Sequence, residues 1–231
     1  MEKPSQKDIQ QIETKGLSVE DVREQLKNFE TGFPFLPIIK PATLEDGINK
    51  LNQTEVDRFK LIYEEYLTKK QVMKFVPASG AASRMFKFLF EYLNGSDETP
   101  DKDVQAFIGQ LPRFAFYEDL KDMFKEKGEN LEDALEQKQY KQIIAALLNP
   151  DGLNYGRLPK GLIKFHKYLD HIRTSFEEHW VECANYTMQS SGKAHIHFTI
   201  SPEHSELFEK LKADKLEGYQ KQYNISIHNE Y

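Results

Sequence analysis

The chain contains one cysteine in 231 residues, Cys183, so neither an internal disulfide nor a four-cysteine metal site is open to it. Such usage suits a reducing compartment. No run of 18 apolar residues occurs, which argues against a membrane-spanning helix. The opening MEKPSQKDIQQ is polar and charged, without the apolar stretch of a signal peptide. A cytoplasmic location is the resulting expectation. No long basic cluster is present and the formal net charge is −6, which argues against a duplex nucleic-acid binder. A small anionic ligand stays compatible, because one local basic pocket does not need a basic protein. Aromatics, by contrast, are plentiful: 16 Phe and 11 Tyr within a hydrophobic content of 39 %, enough for a folded core.

Residues 71–87, QVMKFVPASGAASRMFK, organise the rest. Residues 72–76 are apolar except for Lys74 and are closed by Pro77, which predicts a short strand. Residues 77–83 are small and predict a turn. A helix is predicted to open at Arg84, with Met85, Phe86, Phe88, Leu89, Phe90 and Leu93 forming its apolar stripe. A strand that turns tightly into a helix leaves backbone N–H groups unpaired, with the helix dipole behind them, and this makes an anion site. Ser79, Gly80, Ala81, Ala82 and Ser83 are small enough for a phosphate to approach the backbone, and Arg84 adds a guanidinium. An ordinary packing turn is the plainer alternative.

Elsewhere the pattern is mixed. Residues 5–30 read as two short helices, the first ended by Gly16 and the second opened by Ser18 with Asp21. Val19, Val22, Leu26 and Phe29 form a stripe for packing. Residues 32–43 carry three prolines among apolar residues and read as extended. Thr54 and Asp57 are expected to cap a helix to about Lys69, with Val56, Phe59, Ile62, Tyr63 and Tyr66 inward. Residues 94–100 read as a loop, and residues 101–148 as consecutive helices. Residues 157–168 gather Arg157, Lys160, Lys164, His166 and Lys167. A helix from Thr174 to about Met188 follows, then a strand over 194–200. Ser201 and Pro202 are expected to open a helix reaching about Gln222, and residues 224–228 form a last strand. Strand alternating with helix predicts an α/β layer with parallel strands, whose ligands sit at the strands' carboxyl ends.

Two resemblances follow from these stretches. SGAASRM, residues 79–85, resembles the G-x-G-T-R-M loop of nucleotide-diphospho-sugar transferases of the sugar-nucleotide pyrophosphorylase type. LPKGL, residues 158–162, resembles their P-K-x-L element, and EEHWVE, residues 177–182, their L-E-H-hydrophobic helix. Ala82 stands where that family has its second glycine, and the helical stretch separates Arg84 from Lys160. QLKNFETGFPFL, KPATLEDGI, FVPASGAASRMFK and LPKGLIKFHKYLDHIRTSFEEHWVECANY resemble a bacterial family known as domain of unknown function 4301, over nearly the whole chain.

The transferase resemblance implies a partial Rossmann-like α/β sheet with helices on both faces. An N-terminal helical segment, residues 1–70, would precede an α/β domain, residues 71–231, carrying a helical insertion over 97–150. It further implies a nucleoside triphosphate or sugar nucleotide as ligand, with Arg84 and Lys160 in the catalytic roles. Ser79, Gly80, Ala81, Ala82, Ser83, Glu178 and His179 would bind the substrate. Mg²⁺ is the implied cofactor, although the family's metal-holding aspartate is not identified here. The last strand runs almost to Tyr231, which raises the expectation of a shortened chain lacking metal and sugar sites.

A non-catalytic nucleotide-binding domain is the second reading, and a helical interaction module over residues 101–148 a third. His195 and His197 share one face of a strand, with His179 or His204 as a conceivable third metal ligand, but a half-exposed strand gives the same alternation. Cys183 falls on the apolar side of its helix and reads as a buried, inert thiol.

Overall fold

The computed structural model describes residues 4–96 and 98–231. Residues 1–3 of the polar opening stretch and Asp97 of the expected loop lie outside them. The chain divides into two compact units, Met1–Val56 and Asp57–Tyr231.

The first unit holds α1 (Gln6–Thr14) and α2 (Val19–Thr31). Each opens on a reciprocal cap, Ser5 with Asp8 and Ser18 with Asp21, which satisfies the orphan N–H groups of the first turn. Neither helix has a buried residue, and Leu26 and Phe29 of the predicted packing stripe are exposed. The proline-rich stretch leads into a two-residue pair, β1 (Thr43–Leu44) with β2 (Gly47–Ile48).

Helix α3 (Gln53–Lys69) begins at the end of this unit. Its cap differs from expectation. Asn52 Oδ1 accepts from the Glu55 amide at 3.0 Å, and the Glu55 carboxylate accepts from the Asn52 amide at 2.8 Å. The pair two residues upstream of Thr54 and Asp57 therefore opens the helix. No residue of α3 is buried, so Phe59, Ile62, Tyr63 and Tyr66 do not point into a core.

The second unit contains β3 (Met73–Pro77), α4 (Lys87–Asn94), α5 (Lys102–Gly109), α6 (Tyr117–Glu126), α7 (Leu131–Glu136) and α8 (Tyr140–Leu148). There follow β4 (Lys164–Lys167), β5 (Ile172–Thr174), α9 (Ser175–Tyr186), β6 (Lys193–Thr199), α10 (Ser205–Tyr223) and β7 (Ser226–Glu230). β3, β6 and β7 form a parallel sheet in the order β3-β6-β7, with Phe75 opposite His197 and His195 opposite His228. β4 and β5 form an antiparallel hairpin that the sequence reading leaves out. The architecture is mixed α/β with small parallel sheets.

Two hydrophobic cores share the unit. The helices α4 to α8 enclose one, around Leu89, Leu111, Leu120, Phe124, Ile144 and Leu147. The sheet with α9 and α10 encloses the other, around Phe176, Trp180, Ile196, Phe198 and Phe208. Alternation along β6 sends Ala194, Ile196 and Phe198 beneath α9 and α10, and His195, His197 and Thr199 to the opposite face. On that face Met73 and Phe75 stay exposed, and the Phe75 ring stacks on His197 at 4.8 Å. Helices α9 and α10 lie on the same face, so the expected layer on the second face is not formed among the described residues. Cys183 is fully buried and hydrogen-bonds Thr187 at 3.0 Å, and burial pushes its thiol pKa up.

Three ends move. Residues 83–86 form turns, so α4 begins at Lys87 rather than Arg84. Pro202–His204 makes a short 3₁₀ turn without a Ser201 side-chain cap, and α10 starts at Ser205. Asn224, left-handed at φ 49°, ends α10, so the last strand begins at Ser226. No helix of the described residues is long and apolar enough to cross a membrane.

Candidate functional site

The turn after β3 is fixed at both ends. Ala78 is buried in the sheet core, and its amide donates to the Thr199 carbonyl at 2.9 Å where β6 also ends. Ala82 is buried in the helical core, beside Phe86. Between and beyond these anchors, Ser79, Gly80, Ala81, Ser83 and Arg84 are exposed. Their backbone amides find no acceptor among the described residues, while the Met85 amide donates to the Ala82 carbonyl at 2.9 Å. Two cores thus hold a short stretch of free donors at the carboxyl end of a parallel strand. The Ala82 methyl faces the helical core.

The second motif reaches this turn. The Lys160 amide donates to the Gly80 carbonyl at 2.9 Å, and Ala81 pairs with Pro159 in an antiparallel bridge. Gly161 packs so tightly that an added Cβ would lie 3.0 Å from Phe208 Cε1 and 3.5 Å from Ala78 Cβ. The Lys160–Leu162 turn also packs on α9. Contacts at Gly80 and Gly161 therefore bring together two segments distant in sequence. Arg84 and Lys160 are both exposed, and neither guanidinium nor ammonium has a partner among the described residues. The turn thus carries free amides and one unpartnered cation, with the backbone of a second beside it.

Glu178 and His179 are differently placed. The Glu178 carboxylate accepts from Arg173 Nη1 at 3.1 Å and from the Tyr168 hydroxyl at 2.9 Å. Arg173 is buried, lies over the Tyr168 and Tyr219 rings, and leaves its Nε without a partner. The Tyr219 hydroxyl donates to Glu177 at 3.2 Å, and burial with the Glu177 charge pushes its pKa up to about 12. His179 Nδ1 lies 2.7 Å from Glu182, which also pairs with Lys74; the Lys74 ammonium donates in turn to the Tyr186 hydroxyl at 2.6 Å. Burial alone would raise the Glu182 pKa, but the Lys74 and His179 hydrogen bonds outweigh it and hold it at about 2. Both predicted substrate contacts are therefore committed to internal networks. The sequence reading does not include the Arg173 cluster.

Among the described residues, no group of three or more His, Cys, Asp or Glu side chains is arranged to hold a metal. His195 and His197 point to the open sheet face, where Glu230 approaches His197 at 3.9 Å. The aspartate that would carry Mg²⁺ stays unassigned among the described residues.

The sequence matches the family described as Domain of unknown function (DUF4301) over residues 5–231. The chain belongs to the DUF4301 family. No curated protein and no solved structure matches it.

Proposed function

We propose that this DUF4301 chain binds a nucleoside triphosphate or sugar nucleotide, with the phosphates on residues 79–84 and between Arg84 and Lys160. The observation that carries this reading is the Lys160 amide bond to the Gly80 carbonyl. It brings the backbone of an exposed lysine against a turn that carries an exposed arginine, which supports the reading. Backbone amides and a guanidinium each recognise phosphate oxygen, and charge-assisted hydrogen bonds contribute about 1.5–3 kcal/mol apiece.

The chemistry this equipment suits is nucleotidyl transfer. A sugar phosphate oxygen attacks the α-phosphate, the bond to the β-phosphate oxygen breaks, and pyrophosphate leaves with the negative charge. Arg84, Lys160 and the free amides would neutralise that leaving group, which is the main help a protein gives such a reaction. A second reading is nucleotide binding without turnover, which uses the same turn and cations and needs no metal-holding aspartate.

Thermal unfolding tests the binding step. A nucleoside triphosphate at about 100 times its Kd stabilises the folded state by about 2.7 kcal/mol. The wild type should show that rise in Tm, and the Arg84→Ala, Lys160→Ala double variant should not. A rise of equal size in the double variant would remove the proposal. Release of pyrophosphate from a nucleoside triphosphate and sugar phosphate separates the catalytic reading from the binding-only one.

A further inference from the structure

A second site lies in the helical part of the unit. A cavity of about 320 Å³ opens between the start of α4, the connection from α5 to α6, and β4. Its lining is mostly phenylalanine. Phe86, Phe107 and Phe116 are buried, and Phe114 stacks on Phe116 at 5.2 Å and 7° and on Phe107 at 5.2 Å and 28°. Three cations, Arg113, Lys164 and Lys167, complete the lining, with no carboxylate among the lining residues.

The cations differ in availability. The Lys164 ammonium is paired with Asp119 at 2.7 Å. The Lys167 ammonium donates once, to the Pro112 carbonyl at 3.1 Å, which leaves two N–H groups unused. The Arg113 guanidinium has no partner among the described residues. Free donors from two cations thus stand at an apolar, ring-lined cavity. The cleft beside α10 is different in kind, because Asp170, Glu177 and Asp214 line it.

We propose that this cavity binds a small aromatic acid, its ring against the Phe107, Phe114 and Phe116 stack and its anionic group at Arg113 and Lys167. Size selects the class. The volume sits at the low end of the roughly 300–1,000 Å³ typical of small-molecule sites, and rings add offset or edge stacking worth about 0.5–1.5 kcal/mol beyond burial. Charge selects the acid: a neutral ring would leave two cations at an apolar wall unanswered. The proposal stands on this cavity alone and does not rest on the phosphate turn.

Anilinonaphthalene sulfonate, an aromatic anion that fluoresces in apolar surroundings, tests it, with uncharged phenylnaphthylamine as the matched neutral probe. The folded wild type should bind one sulfonate per chain saturably. Arg113→Glu and Lys167→Glu, both at exposed positions, should each weaken that binding about tenfold or more, in keeping with the loss of a charge-assisted contact. Both variants should bind the neutral probe as the wild type does, which shows the ring site intact. No saturable sulfonate binding by the folded wild type would overturn the proposal, as would charge-reversed variants that bind the sulfonate unchanged.

Discussion

Gly161→Ala isolates the contact that holds the Lys160 segment to the phosphate turn. A Cβ at this position would lie 3.0 Å from Phe208 Cε1, 3.2 Å from its Cζ and 3.5 Å from the Ala78 Cβ. Carbon atoms prefer about 3.5–4.0 Å, so the ring must move by several tenths of an ångström. It has little room, since Phe208 is fully buried and edge-packed on Phe176 at 5.0 Å. Overpacking of this kind costs about 1–3 kcal/mol. Removing a glycine from the unfolded chain returns about 0.4–1 kcal/mol. The difference runs from about zero to about 2.6 kcal/mol and centres on a net loss of about 1 kcal/mol. Urea unfolding followed by the fluorescence of Trp180, the single tryptophan and a member of the same core, reads it directly. The midpoint should fall at unchanged m-value. A midpoint equal to or above that of the wild type would refute the packing argument.

Three further outcomes follow from the same contacts. Gly80 has open space around its Cα and no left-handed φ, so Gly80→Ala should leave the urea midpoint within about 0.5 kcal/mol of wild type. The added methyl should nevertheless weaken nucleotide binding severalfold, and an unchanged Kd would show that no phosphate approaches this backbone. Arg173→Met leaves the mostly buried Glu178 carboxylate without its cation and should cost about 3–5 kcal/mol in urea, with Arg173→Met, Glu178→Leu recovering part of it. A single variant as stable as wild type would mean that the pair adds nothing. Glu182, held at about 2 when folded against 4.5 as its ordinary value, binds more protons in the unfolded chain between those values. Its contribution is therefore full above about pH 5 and lost as the pH falls towards about 2. In Lys74→Met the loss of stability over that window should be shallower, and identical slopes would rule Lys74 out as the cause.

The strand and the turn were legible because each is marked locally, by an apolar run and by small residues; the LPKGL segment was tied to that turn only through the motif resemblance. The start of α4 was not legible. Arg84 to Phe86 continue a helical stripe in the sequence, yet burial of Ala82 and Phe86 in the helical core holds those residues in turns. Glu178 is met by Arg173 of β5, and His179 by Glu182 of its own helix, which Lys74 of β3 also reaches; no spacing announces the approach of either strand. The β4–β5 hairpin was hidden for a related reason. Lys164, His166 and Lys167 read as a basic cluster, while their pairing depends on residues beyond a polar turn, where the Tyr168 amide donates to the His171 carbonyl at 2.9 Å. Alternation in 194–200 did reveal which residues face the core, because strand period is independent of what covers the other side.

Calorimetric titration of the wild type, Arg84→Ala and Lys160→Ala with each nucleoside triphosphate, with and without Mg²⁺, tests the central claim most directly. Saturable binding by the wild type, weakened about tenfold or more by either substitution, is the predicted result. Wild-type affinity in both variants, or no binding by a folded wild type, would contradict the assignment of the turn and its two cations to a phosphate.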